Sequence, residues 1–78
     1  MDDLLTRTVA NVLQLRAEQV SDNLEMSECP AWDSMRHFHL VVTIEQVFGV
    51  RFLSTAIPEL TSVGRIRHEV QRLKGRSS

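Results

Sequence analysis

The sequence predicts an all-α fold, a small bundle of three main helices plus one short helix, on three observations. Met35 to Phe48 contain no Gly or Pro, and Phe38, Val41, Ile44 and Phe48 recur at helical spacing as one apolar face. Val63, Ile66, Val70 and Leu73 repeat the pattern near the end of the chain, at intervals of three, four and three. Nothing alternates at period two for long enough to make a sheet. Seventy-eight residues make a single domain, 1–78, and a chain of that size buries only roughly 60% of its unfolded surface. It has room for one core and little for a deep, water-excluded active site.

Taken in order, Asp2 or Asp3 can cap a first helix running to about Arg16, with Leu4, Leu5, Val9, Val12 and Leu13 as its apolar stripe. Residues 17–32 form a connection rich in turn and capping types (Ser21, Asp22, Asn23, Ser27, Pro30), with Val20, Leu24 and Trp32 available to anchor it. At about sixteen residues it is longer than most helix–helix links, which marks it as a structured functional loop. Asp33 is a good N-cap for the central helix, 34–48, because its carboxylate can accept from the first-turn N–H groups at the positive end of the helix dipole. Ser34 then takes the first helical position, and Gly49 follows where a left-handed residue is wanted. Val50 and Phe52 pin the chain beyond it, and Pro58 limits Thr55 to Glu59 to a short helical turn. Thr61 or Ser62 caps the last helix, and 75–78 form a polar tail.

On these residues the chain resembles a known family. Asp33-Ser34-Met35 followed by a helix ending Phe48-Gly49-Val50 is similar to the Asp-Ser-Leu helix and Phe-Gly-Ile ending of acyl carrier proteins and their peptidyl carrier relatives. Trp32 before the Asp and His37 after the Ser resemble a stand-alone subset reading Trp-Asp-Ser-Leu-x-His. Leu60-Thr61-Ser62-Val63-Gly64 resembles the Ile-Thr-Thr-Val-Gly that opens the last helix of carriers, so the likeness covers nearly the whole chain, most specifically 32–50. In that family the serine hydroxyl is joined through a phosphodiester to 4′-phosphopantetheine, whose thiol carries the acyl group. The resemblance implies that Ser34 is the attachment site, with Asp33 as the helix cap beside it.

It also implies partners: a phosphopantetheinyl transferase, an acyl ligase or acyltransferase, and downstream biosynthetic enzymes docking on the central helix. Arg36, His39, Thr43 and Gln46 form a polar stripe there, flanked by Met35 and Val42, and this is the expected partner surface. The family would carry acidic residues along this helix, whereas Arg36 and His39 stand here. Asp22, Glu25 and Glu28 in the loop are the available acids. The competing readings are an ordinary helix cap for Asp33-Ser34 and a solvated face for the stripe. The Met after the serine, the Phe-Gly-Val ending and the 60–64 box weigh against the first.

Other chemistries find less. His37, one turn after Ser34, raises a Ser–His nucleophile pair, but no orienting group or oxyanion site accompanies it. A structural histidine bonded to loop backbone is the better reading. Cys29, His37, His39 and His68 lack paired metal-ligand spacing, so no metal site is expected. The single cysteine excludes an intrachain disulfide and fits a reducing compartment. No apolar run approaches a membrane span and the chain opens on two aspartates, which together predict a cytoplasmic protein.

Net charge is −1, split as −5 over residues 1–33 and +4 over 34–78: a charge dipole, not a polycation. Arg65, Arg67, Arg72, Lys74 and Arg76 crowd the last helix, where the helix dipole favours cations. A non-catalytic nucleic-acid or protein-binding module using that helix is the alternative, though the start of the helix lacks the Asn, Gln or Ser that base readout favours, apart from the capping Ser62. The sequence therefore predicts a monomeric carrier that catalyses nothing itself. Fatty acyl, polyketide and polysaccharide pathways all use such carriers, and the cargo is set by the partners.

Overall fold

The structure, a computed structural model, describes residues 4–76. Three α-helices, α1 (Leu4–Leu13), α2 (Ser34–Phe48) and α3 (Val63–Arg76), are joined by irregular segments holding short 3₁₀ turns at Ala17–Gln19, Met26–Glu28 and Ile57–Glu59. The expected all-α bundle is observed. Val9, Leu13, Trp32, Leu40, Val41, Ile44, Val63 and Ile66 are essentially inaccessible and form the centre of one core drawn from all three helices and the first connection.

Helix α1 stops three residues short of the expected Arg16. Gln14 adopts φ +58°, and the Leu15 N–H reaches back to the Ala10 carbonyl at 2.9 Å, so the chain turns out of the helix in a Schellman-type ending. Leu15 packs half-buried on the core, and that contact holds Gln14 in a conformation non-glycine residues seldom take. The stripe also differs at its start: Leu4 is exposed, while Thr6, Thr8 and Ala10 are buried beside Leu5, Val9, Val12 and Leu13. The hydroxyl of Thr8 donates to the Leu4 carbonyl at 2.8 Å, which satisfies it inside the helix. The caps expected at Asp2 and Asp3 lie outside the described residues.

The first connection is anchored as expected, with Val20 and Trp32 buried and Leu24 half-buried against the core. It is also stitched to the start of α3. The Val63 N–H donates to Leu24 O at 3.1 Å, Gly64 N–H to Asp22 O at 3.0 Å, and Met26 N–H to Thr61 O at 2.8 Å. Ser62, not Thr61, caps α3, its hydroxyl accepting from Arg65 N–H at 3.2 Å. Helix α3 continues through Gly75 to Arg76, where a polar tail was expected from residue 75. The glycine keeps helical backbone there, and residues 77–78 lie outside the described residues.

Helix α2 spans the expected residues, but its buried face is turned from the expected one. The buried residues are His37, Leu40, Val41 and Ile44; Phe48 is half-buried and Phe38 is 67% exposed. His37 enters the interior to meet Trp32, so the buried stripe is centred on the 37–40–44 line and Phe38 falls on its margin. Gly49, at φ +68°, ends the helix, with Val50 N–H bonded to Glu45 O at 3.2 Å.

Candidate functional site at the start of the central helix

Asp33 has extended backbone, and its carboxylate accepts the Arg36 N–H at 2.9 Å, while its carbonyl takes the His37 N–H at 2.8 Å. That is the N-cap the sequence predicts. It leaves the N–H groups of Ser34 and Met35, the first two helical positions, with no acceptor inside the helix. Ser34 itself is exposed. An exposed hydroxyl on the first turn, beside backbone donors and the positive end of the helix dipole, can be esterified by a phosphate and hold it there.

Trp32 and His37 support this turn from below. Trp32 is 2% exposed, and its indole N–H donates to His37 Nδ1 at 3.0 Å. Nε2 of the same ring lies 2.9 Å from the Ile57 carbonyl oxygen. An indole N–H can only donate and a carbonyl can only accept, so the ring is neutral with its proton on Nε2. His37 thus joins the residue before the cap to the 3₁₀ turn at Ile57–Glu59. Both of its nitrogens are occupied, which is the structural role expected of it and removes it as a general base for Ser34.

The expected partner stripe is split by the fold. Met35 is 82% exposed, and His39 and Gln46 are exposed. Arg36, Val42 and Thr43 are half-buried. Arg36 turns across to α1 and donates from Nη1 to the Val12 carbonyl at 2.9 Å, serving the last turn of that helix. Thr43 bonds its own helix, Oγ1 to His39 O at 2.8 Å. Sequence reasoning missed the exposure of Phe38, the fifth residue of α2. An aromatic at helical spacing reads as core, and only the packing of His37 shows otherwise.

A surface hollow of about 720 Å³ lies at the opposite end of α2 between Val42, Glu45, Gly49, Arg51 and Leu73. It holds no nucleophile or imidazole, and its Glu45 carboxylate accepts the Phe52 N–H at 2.8 Å. A smaller hollow of about 500 Å³ adjoins the serine end, lined by Glu25, Met26, Ser27, Trp32 and Thr61. Among the described residues no group of three or more His, Cys, Asp and Glu side chains could hold a metal, and no helix is long and apolar enough to cross a membrane.

Arg67, Arg72 and Lys74 of α3 are engaged within the chain. Arg67 donates from Nε to Asp22 at 2.9 Å and from Nη2 to Thr6 Oγ1 at 3.3 Å. Lys74 reaches the Phe48 carbonyl at 3.4 Å, and Arg72 holds Glu69 with two hydrogen bonds. Those bonds, with the Arg72 charge, keep the Glu69 carboxyl below its ordinary range against a smaller opposing effect of burial. No protein-family model matches the chain, and no curated protein matches it.

Proposed function

We propose that the chain is a monomeric, cytoplasmic acyl carrier that catalyses no reaction and carries acyl or aminoacyl groups on 4′-phosphopantetheine attached at Ser34. The observation that carries the reading is the capped first turn of α2, with an exposed serine hydroxyl and two backbone N–H groups lacking intrahelical acceptors. The residues present fit the group. The Ser34 hydroxyl can form the ester, and the Ser34 and Met35 N–H groups can face a phosphate oxygen. Asp33 is tied to Arg36 N–H by its Oδ1, which fixes the serine at the helix mouth. When bound, the group supplies a thiol on a long arm, and the protein supplies the anchor.

In this reading a separate transferase, with Mg²⁺, moves the phosphopantetheine of coenzyme A onto the Ser34 oxygen, which loses its proton as the pyrophosphate bond breaks and adenosine 3′,5′-bisphosphate leaves. A ligase or acyltransferase then loads the arm, and biosynthetic enzymes of a fatty-acid, polyketide or polysaccharide type receive the acyl group. The intrachain pairing of Arg67, Arg72 and Lys74 favours this reading over a nucleic-acid module built on α3.

Intact mass tests it. Incubation with coenzyme A, Mg²⁺ and a broad-specificity phosphopantetheinyl transferase is expected to add one phosphopantetheine, on the peptide holding Ser34. Ser34→Ala is expected to fold and stay unmodified. A Ser34→Ala protein that still gains the mass would move the site elsewhere.

A further inference from the structure

The hydrogen bond between the Trp32 and His37 side chains closes a loop of chain that contains Ser34. Inside that loop the Asp33 carbonyl accepts the His37 N–H at 2.8 Å, and just before it the Trp32 N–H donates to the Cys29 carbonyl at 2.9 Å. On its other side the ring reaches the Ile57 carbonyl, 20 residues further on. One imidazole therefore ties together the end of the first connection, the first turn of α2 and the turn at Ile57–Glu59. Ring and indole are both buried, so a bond lost between them is not readily replaced by water.

Both bonds need the neutral ring, with a lone pair on Nδ1 for the indole and a proton on Nε2 for the carbonyl. A second proton can go only to the Nδ1 lone pair, where it sets N–H against N–H across the 3.0 Å that the bond now spans. The charge it brings finds no counter-ion there: among the described residues no carboxylate forms an ion pair with the ring. The charged or titratable groups on the segments bonded to it are Glu28, Cys29 and Asp33 before α2, Arg36 and His39 in its first turns, and Glu59 after Ile57. Cys29 is buried, and Arg36 reaches across to the Val12 carbonyl of α1. Glu28, Asp33, His39 and Glu59 are exposed, as are Arg7 on α1 and the Arg65 and His68 of α3 that line a hollow with Glu59. Solvent screens charges so placed.

Resting on the carrier reading, we infer that His37 is a proton-sensitive positioning residue for Ser34. Neutral, it holds the turn on which the serine meets its modifying enzyme; protonated at Nδ1, it lets go of Trp32 and that turn loosens. The proton comes from solvent, forms an N–H bond with the Nδ1 lone pair, and is given back when the pH rises. The Ile57 bond survives, because Nε2 still donates, so the release is confined to the Trp32 side. Histidine is the side chain whose ordinary titration falls near neutrality, so the serine is held for modification at neutral pH and released in mild acid.

The chain has one tryptophan, so the Trp32 indole N–H gives a single NMR signal. Between about pH 8 and pH 5.5, a range spanning ordinary histidine titration, that signal is expected to shift and to exchange faster with water, in step with the His37 ring. Circular dichroism is expected to remain that of the folded chain. The second readout is kcat/KM of the same broad-specificity phosphopantetheinyl transferase for the full chain, taken at each pH as a ratio to a control carrier so that the enzyme's own pH dependence cancels. The ratio is expected to fall about fivefold over the range, the weight of one hydrogen bond. His37→Gln keeps one acceptor and one donor and has no proton to gain. It is expected to be modified at close to the wild-type neutral rate and to lose the fall in acid.

An indole signal that stays fixed across the range would overturn the inference and leave the carrier reading standing. So would a flat ratio in a wild type whose indole is released, because the turn would then not need the bond to present its serine. An equal fall in His37→Gln would give the pH dependence to another group and overturn the inference too. Should His37→Gln fail to fold, the indole titration and the ratio of the wild type decide by themselves. No modification of the wild type at any pH, with the control carrier modified, would bring down the carrier reading and this inference with it.

Discussion

One turn of helix separates His37 from Ser34, yet both ring nitrogens are bonded elsewhere, to the Trp32 indole and the Ile57 carbonyl. The ring is buried with its partners, so each bond matters through the group left behind when it is cut. Trp32→Phe keeps the shape of the core but strands Nδ1 without a donor, at an expected cost of about 1–3 kcal/mol. His37→Phe strands the indole N–H in the same way. Urea unfolding of the two single variants and the double variant is the measurement. The double variant should be more stable than the sum of the two losses allows, by about 1 kcal/mol, since the bond between Trp32 and His37 is lost only once. Strict additivity would mean that the two rings merely adjoin. The sequence names both residues, because Trp32 and His37 flank the Asp-Ser pair, but not the bond between them. A pairing five residues apart across a helix start depends on where the loop folds back.

At the scale of the element, α2 was the most legible because its signals are local. Asp33 and Gly49 act on adjacent backbone, and both do what their residue types imply. Gly49→Ala should cost about 1 kcal/mol from its positive φ alone, since an added Cβ would have open space around it. The end of α1 was illegible for the converse reason. Gln14 holds the left-handed position without being glycine, so nothing in the residue type announces the turn. Gln14→Gly is expected to stabilise the fold by about 0.5–1 kcal/mol, the relief of a strained φ less the added freedom of the unfolded chain. A lower thermal midpoint would show that the glutamine side chain makes a contact of its own. The exposure of Phe38 was illegible too. Periodicity fixes which residues share a face, but the buried side chosen for α2 was decided by a histidine that enters the core.

Helix α3 allows a pH test. The Glu69 carboxyl is held below its ordinary range chiefly by the Arg72 hydrogen bonds, so the folded state binds its proton less readily than the unfolded one. The stabilisation is therefore present above the ordinary glutamate pKa and is lost as pH falls through the lower, folded one. The pair sits on the surface, where solvent screening keeps its worth small. Thermal midpoints of wild type and Glu69→Gln should differ slightly at neutral pH and converge in acid. A gap that widens in acid would reverse the assignment.

Across the whole molecule, the least regular part of the chain is held by the start of α3. Leu24, Asp22 and Met26 exchange backbone hydrogen bonds with Val63, Gly64 and Thr61, and Arg67 adds an ion pair to Asp22. The 60–64 box, read in sequence as a helix start, is also the seam that gives the long connection its shape. That second role is not visible in residue types, because the seam joins segments some forty residues apart. Gly64 shows why a side chain is excluded there. A Cβ at this position would lie 3.0 Å from the Asp22 carbonyl oxygen, a backbone atom that is itself accepting the Gly64 N–H. Gly64→Ala must therefore push the loop off α3 or shift the helix, and the expected loss is about 1–3 kcal/mol, the usual scale of overpacking. Hydrogen exchange locates the damage as well as measuring it. The amides of Met26, Val63 and Gly64 should lose protection first, while those in the middle of α2, bonded only within their own helix, should follow global stability. If all amides weaken together, the seam and the bundle unfold as one unit, and the connection is as much a part of the core as the helices it joins.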